Sequence, residues 1–518
     1  MKTEKRVLSK GFLRSDFSIL VYLALLKFLL HFLVNLRGGY GIFRDEFYYL
    51  ACADHLAFGY VDHPPLSILL LAINRFILGD SLLAIRLLPA VAGAVVVLLT
   101  GLIVREMGGK RFAQALGAVS IIIVGHYLGS HNIFSMNAFD HLFWTLAFYI
   151  LVRIINSGNP KLWLWFGIVA GLGLQNKISV LFLGFGLFVA LLLTPHRRHL
   201  VSKSLWIAGL VAFVIFLPHI VWQISNGWPT LEFMSNAQKY KIADFTFSGF
   251  LLAQILEVNP FLFPLWFGGL LHLLIAKNGR KYRLFGLMYL AIFAALALQK
   301  SKPYYLLVVY PILLAAGAVA WEKFVANRRW GWMKSVTLSI MILSGVLIAP
   351  FALPVLPVED YIKYAAAFGQ KPSSDEKHQM GKLPQHFADM HGWENMVATV
   401  ARVYHTLSEE EKAGSTILVN NYGEAGAIDH YRDKYDLPRP ICGHNNYWLW
   451  GPRGATGEII VRLGGNRENH EKVYTKVEQV DTVKCKYCMP YENNLPVFIC
   501  RGLKTPLVKV WPEMKHYI

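Results

Sequence analysis

Residues 18–36 read SILVYLALLKFLLHFLVNL, and residues 37–66 continue RGGYGIFRDEFYYLACADHLAFGYVDHPPL. The first stretch is apolar for nearly the about 20 residues that a helix needs to cross a bilayer. The basic segment before it, MKTEKRVLSKGFLRSDF, leads into it without an A-x-A-like cleavage site, so residues 17–36 read as an uncleaved first span. The second stretch then sets adjacent acids, Asp45 and Glu46, among aromatic residues at the far end of that span.

The rest of the chain repeats the apolar pattern. A template of about 20 apolar residues finds about eleven candidates. They lie near 17–36, 82–104, 112–130, 139–155, 161–176, 178–194, 204–224, 249–276, 284–299, 304–321 and 334–353. The runs at 161–176 and 178–194 are short and separated only by Gln175-Asn176-Lys177. Composition agrees: 55% of the 518 residues are hydrophobic and 16% charged, which describes a lipid-solvated chain. The net charge of +18 would suggest nucleic acid in a soluble protein. Here the basic residues cluster between apolar runs, and no helix or strand carries spaced basic and aromatic readers, so nucleic acid is excluded as a partner.

Loop charge gives the orientation. The clusters Arg105/Lys110/Arg111, Arg153/Lys161, Arg197/Arg198/Lys203, Lys277/Arg280/Lys281/Arg283 and Lys323/Arg328/Arg329/Lys334 all fall on the side of the basic N-terminus. Loops 37–81, 131–138, 225–248 and 300–303 are less basic and fall opposite. The positive-inside rule therefore puts the N-terminus in the cytoplasm and everything after about Pro354 outside.

From Pro354 the chain turns mixed and polar. Runs at 416–422, 458–463 and 497–500 read as strands, residues 384–407 and 423–433 as helices, and 437–457 as a long loop. The expected architecture is a polytopic all-α membrane domain over 1–353, including a first outer loop at 37–81, and an extracytoplasmic α/β or α+β domain over 354–518. Four of the five cysteines, Cys442, Cys485, Cys488 and Cys500, belong to that domain, where an oxidising compartment permits a disulfide; Cys52 lies outside it.

Acids at a membrane boundary are costly, and Asp45 and Glu46 are therefore candidates for chemistry. Their aromatic setting reads as an amphipathic helix lying at the interface. Asp140 stands at the outer start of a later span, where it either stabilises a helix N-terminus or serves a site. His63, Lys300, Lys302 and Arg44 are the outer-face cations available to a phosphate. In the loop 223–233, Trp228 offers a platform for sugar or lipid and Asn226 a hydrogen-bonding group.

The Asp-Glu pair in the first outer loop, the Tyr60-Val61-Asp62-His63-Pro64-Pro65-Leu66 element, the SMNAFDHLFW stretch at 135–144 and Lys302-Pro303-Tyr304-Tyr305 together resemble glycosyltransferase family 39. That family contains protein O-mannosyltransferases and the lipid A aminoarabinose transferase. The stretches NNYGEAG at 420–426 and GHNNYWLWG at 443–451 resemble the outer domain of its bacterial members, so the likeness covers nearly the whole chain. The resemblance implies the GT-C fold, a polyprenyl-phosphate sugar donor and an acceptor that is lipid, glycan or protein. It implies Asp45 as general base with Asp140 and Glu46 beside it, Lys302, His63, Arg44 and Lys300 at the donor phosphate, and Tyr48, Asp62, Asn226, Trp228 and Tyr304 at the substrate. The sequence departs from the aminoarabinose transferase pattern at His63, where that relative has a lysine. No cofactor is certain, and a divalent metal would have Asp62, His63 and His219 as its set. A flippase or transporter of an anionic lipid is the alternative function. Transporters tend to place their sites at mid-membrane in broken repeats, whereas the unusual acids here gather at the outer boundary.

Overall fold

The structure, a computed structural model, describes residues 16–518. The basic segment 1–15, on which the inward orientation partly rests, lies outside the described residues. The chain divides into two compact units. One comprises residues 1–39, 78–221 and 244–356; the other 40–77, 222–243 and 357–518. The last segment of the second unit begins at residue 357, three residues after Pro354. The first outer loop, however, folds with the C-terminal residues and not with the membrane helices.

The membrane unit is helical. Among the described residues, seven helices are long and apolar enough to span: Asp16–Leu36, Leu82–Glu106, Met136–Ser157, Lys203–Ser225, Lys277–Leu298, Pro303–Asn327 and Met333–Ala352. Two bent pairs, Val180–Leu192 with Pro195–Val201 at 116° and Phe247–Val258 with Pro260–Leu274 at 95°, raise the count to nine. The eleven runs read from sequence are therefore not eleven long helices. The run at 112–130 breaks into Arg111–Ile122 and Gly125–Ser130. Leu162–Asn176 has 15 residues, which at about 1.5 Å each gives a helix shorter than the roughly 30 Å hydrocarbon layer. The bend at Asn259 has a local cause. Pro260 has no N–H to donate, and Asn259 takes a left-handed φ of 124°. The buried Asn259 amide donates to the Ile123 carbonyl at 3.3 Å and to Ser344 Oγ at 3.1 Å, so the broken turn is satisfied within protein.

Glycine sets the closest helix approach. A Cβ at Gly269 would lie 2.1 Å from the Leu313 carbonyl oxygen, and one at Gly317 would lie 2.0 Å from that of Leu265. The backbones of these helices touch, a small-residue packing that suits a membrane, where no hydrophobic effect drives helices together. Lys203–Ser225 instead exposes Leu210, Phe213, Val214 and Val221, the surface expected to meet lipid.

The second unit is built on a five-stranded sheet of order β2-β1-β3-β5-β4. Its strands are β1 Ser415–Val419, β2 Pro440–Cys442, β3 Ile459–Leu463, β4 Tyr474–Val483 and β5 Leu495–Leu503. β1 runs parallel to β2 and β3, while β5 is antiparallel to β3 and β4, so the sheet is mixed. The three runs read from sequence are β1, β3 and β5. β2 is only three residues long, inside what reads as a loop, and β4 is an exposed edge strand with charged residues on it. The helix Tyr422–Tyr435 crosses from β1 to β2.

Against that crossover packs the helix Arg44–Ala53, in which Asp45 alone is not buried. It is an internal element of this unit, a correction to the surface-lying helix its amphipathic look suggested. A Cβ at Gly426 would lie 2.7 Å from the Phe47 carbonyl carbon, and one at Gly423 2.4 Å from Arg44 Cγ. The GEAG stretch therefore reads, in hindsight, as a backbone docking surface. All five cysteines are free thiols, so the structure holds none of the disulfides expected among Cys442, Cys485, Cys488 and Cys500. Cys442 on β2 and Cys500 on β5 are three strand spacings apart, roughly 14 Å, beyond the about 7 Å Cα limit for a bridge.

Candidate active site

Within the sheet-bearing unit, the two adjacent acids have different tasks. Glu46 is fully buried, and its carboxylate accepts the Phe43 N–H at 2.8 Å, capping its own helix. Asp45 keeps 40% of its side chain exposed. Its Oδ1 accepts the Tyr422 hydroxyl at 2.9 Å and lies 3.7 Å from Arg44 Nε.

Arg44 organises this corner. Its backbone N–H donates to the Asp389 carbonyl at 2.9 Å, and its guanidinium donates to the Tyr422 hydroxyl at 2.9 Å and to Tyr491. Tyr422 Oη thus accepts from a cation and donates to Asp45. Burial pushes the Tyr422 hydroxyl well above the usual phenol range, so it holds its proton as a donor. Burial also raises the Asp389 carboxyl to about 6, with Arg44 opposing the rise.

Tyr48 and Asp62 form a second cluster on the same unit. The Tyr48 hydroxyl lies 2.9 Å from both Asp62 Oδ1 and Asn446 Oδ1, and Asn446 Oδ1 also takes the Val61 N–H at 2.8 Å. Nothing local in the stretch 443–451 marks Asn446 for this task. His63 is buried and stacked on Tyr49 with centroids 4.9 Å apart and planes at 6°, with Nε2 3.9 Å from Asp62. Trp228, with φ 59°, precedes the helix Pro229–Asn236 and is exposed, as a platform would be. The Asn226 amide is spent on its own helix, donating to the Trp222 carbonyl at 2.8 Å.

Within the membrane unit, Asp140 is buried near the start of Met136–Ser157. It accepts Ser179 Oγ at 2.7 and 2.8 Å and pairs with Lys177 at 3.6 Å. Lys177 Nζ also donates to Asn137 Oδ1 at 2.7 Å and lies 5.7 and 5.1 Å from the Tyr304 and Tyr305 rings. Asp140 and Tyr304 are thus joined through a lysine that sequence reading passed over as a spacer. The signal was present, since a lysine between apolar runs is expensive and marks a functional place. Tyr304 stacks on His126, itself 3.7 Å from Glu257, another pair that sequence did not single out. Lys302 is half-buried at the turn that precedes Tyr304, and Lys300 is exposed with φ 49°.

Among the described residues, no three His, Cys, Asp or Glu side chains are grouped so as to hold a metal. His219 packs against Phe216 with ring centroids 5.2 Å apart and planes tilted by 34°.

The family pattern described as "Dolichyl-phosphate-mannose-protein mannosyltransferase" matches residues 62–222. No curated protein matches the chain by sequence. In fold, the chain is similar to ArnT from Cupriavidus metallidurans in the apo state, with TM-score 0.59 and 13% identity over 95% of this chain and 98% of that one. The same protein bound to undecaprenyl phosphate gives TM-score 0.59 and 14% identity over 93% and 97%. The apo oligosaccharyltransferase of Archaeoglobus fulgidus gives 0.52 and 14% over 88% of this chain and 66% of that one. By its apolar helices and its fold the chain is thus similar to these membrane proteins, and over residues 62–222 it also carries that family's pattern.

Proposed function

We propose that the protein transfers a sugar from a polyprenyl-phosphate donor to an extracytoplasmic acceptor, with inversion at the anomeric carbon and Asp45 as the general base. The observation that carries this reading is the divided pair at 45 and 46. Glu46 closes the helix N-terminus, while Asp45 is oriented by Tyr422 and Arg44 and keeps its carboxylate in part exposed. Both of its contacts fall on Oδ1. In the reaction the acceptor oxygen attacks the anomeric carbon, its proton passes to Asp45, and the carbon–oxygen bond to the lipid phosphate breaks with its electron pair. Negative charge grows on the departing phosphate, and lysines stabilise it. Lys302 fills that role, and Lys177 is added to it on the strength of its aromatic-lined, carboxylate-held position.

The bacterial inner membrane is the proposed location, with residues 357–518 in the periplasm. Incubation of purified protein with a panel of polyprenyl-phosphate sugars and candidate lipid, glycan and peptide acceptors, read by mass spectrometry, tests the reaction. A glycosylated product with free polyprenyl phosphate is expected. Movement of intact donor across vesicles without a glycosylated product would instead support the flippase alternative.

A further inference from the structure

Cys485-Lys486-Tyr487-Cys488 has no place in glycosyl transfer, yet the structure builds it as a unit. Residues 484–489 leave β4 in a tight bend. The Cys488 N–H donates to Cys485 Sγ at 3.2 Å, and Cys488 Sγ lies 3.7 Å from the Cys485 carbonyl oxygen. The Cys485 N–H is fixed in turn by Asn493 Oδ1 at 2.8 Å. Both cysteines pack on Gly392, whose φ of 92° and missing side chain are needed there. A Cβ at Gly392 would lie 2.6 Å from Cys485 Sγ and 3.5 Å from Cys488 Cβ. The two sulfurs differ in access, since Cys485 is half-exposed and Cys488 buried.

Two ordinary readings of a C-x-x-C fail here. A zinc site needs two further ligands, and among the described residues no third His, Cys, Asp or Glu joins the pair. A structural crosslink to the sheet is absent, because Cys442 and Cys500 are themselves free thiols.

We propose that Cys485 and Cys488 are a thiol–disulfide exchange site, with Cys485 the exposed nucleophile, Cys488 the resolving thiol, and a disulfide-bearing oxidant as partner. The thiolate of Cys485 attacks the oxidant's disulfide and releases one thiolate. Cys488 then loses its proton and attacks Cys485 Sγ in the mixed disulfide, releasing the second thiolate. The pair gives up two electrons and two protons, the oxidant's disulfide becomes two thiols, and the chain gains a 485–488 disulfide. The environment favours this order of events. The Cys485 thiol is pulled down to about 6, first by the Cys488 thiol donating to it and further by the Tyr487 and Cys488 N–H groups, so a large share is thiolate at neutral pH. The Cys488 thiol is pushed far up, first by that same contact and then by burial, which suits a group that waits for the mixed disulfide. Encounter with such an oxidant in the cell rests on the periplasmic location proposed above, but the chemistry does not.

The test uses the full chain in detergent, oxidised glutathione as the probe, and peptide mass spectrometry after alkylation. In the wild type, the peptide carrying both cysteines should lose two hydrogens and regain them in dithiothreitol. In Cys488→Ser the reaction should stop at a glutathione adduct on Cys485. In Cys485→Ser, adduct formation at Cys488 should be at least about tenfold slower at pH 7, following the smaller thiolate fraction. Wild-type protein whose two cysteines remain fully alkylated after oxidation overturns the proposal, and that arm needs no substitution to fold. Equal adduct rates in the two variants overturn the division of roles. None of these readouts depends on glycosyl transfer, so loss of the enzymatic reading would leave them intact.

Discussion

At Asp45 the distinction between binding and chemistry is measurable. Asp45→Asn keeps the size and most hydrogen bonding of the side chain but cannot take the acceptor proton. Turnover should fall by about 10²–10⁴-fold, the range for a lost general base, while donor binding measured separately changes little. Near-normal turnover in a purified assay would end the assignment. Glu46→Gln should behave differently, because a cap can be partly rebuilt by an amide. Its effect should appear as lowered stability of about 1 kcal/mol, with a smaller loss of rate. Two neighbours of this corner have opposite pH signatures. Asp389 is raised to about 6 by burial, so the stability tied to its protonated form is full below about 4 and lost as pH rises through 6. His391 is lowered to about 4 by burial, so its contribution is full above about 6.5 and lost as pH falls through 4. Over this window they offset each other. Asp389→Asn removes one side of the balance, and its apparent melting temperature should drop more steeply than wild type between pH 6.5 and 4. Parallel melting profiles for the two proteins would contradict that.

Among elements, the decisive contact is the docking of Arg44–Ala53 on Tyr422–Tyr435. It explains what was legible in the sequence and what was not. The periodicity of the apolar runs, the strands β1, β3 and β5, and the two acids at 45 and 140 all follow from local pattern, and local pattern was readable. That the first loop would fold with residues 357–518 depends on contacts between residues nearly 400 positions apart, such as Tyr422 with Asp45, and no local period encodes them. The glycines were the available clue, since Gly423 and Gly426 on one helix face permit a backbone to approach. Gly426→Val should force the helices apart, costing about 1–3 kcal/mol or more as overpacking, and should lower turnover by moving Asp45. Gly414→Ala in the same unit is a fair control, having nothing within 4 Å of a built Cβ. Equal melting temperatures for the two variants would show that the close approach does not matter. Lys177 is a different kind of omission. Its sequence signal was plain, and only its position between two weak spans made it look like a connector.

For the whole molecule, the two-unit division constrains how the chain crosses the membrane. Residues 40–77, 222–243 and 357–518 form one compact unit, and a bilayer cannot pass through it, so the three segments share a side. The number of crossings between 77 and 222, and again between 243 and 357, must then be even. Seven spans fail this condition, because the long helices alone give three in each interval. Counting the two bent pairs as spans gives four and four, and counting every apolar run read from sequence gives six and four. A contact within the membrane unit chooses between them. Asp140, near the start of Met136–Ser157, accepts Ser179 Oγ at 2.7 Å, just beyond the end of Leu162–Asn176. If 136–157 crossed and 162–176 did not, these two residues would lie on opposite faces, about 30 Å apart. If 136–157 crosses, Leu162–Asn176 returns across the membrane despite its length, and parity is then met when the broken run 111–130 crosses as well. We propose eleven crossings on this basis, with loop 157–161 on the cytoplasmic side. Cysteines introduced one at a time into the Cys485→Ser chain, whose four remaining cysteines are buried, and probed in intact cells with a membrane-impermeant maleimide, test it. Gln370→Cys should be labelled from outside, while Asn159→Cys and Lys277→Cys should be labelled only after permeabilisation. Labelling of Asn159→Cys in intact cells would exclude the eleven-span arrangement and favour one in which 111–130 does not cross and the bent pair over 180–201 turns back.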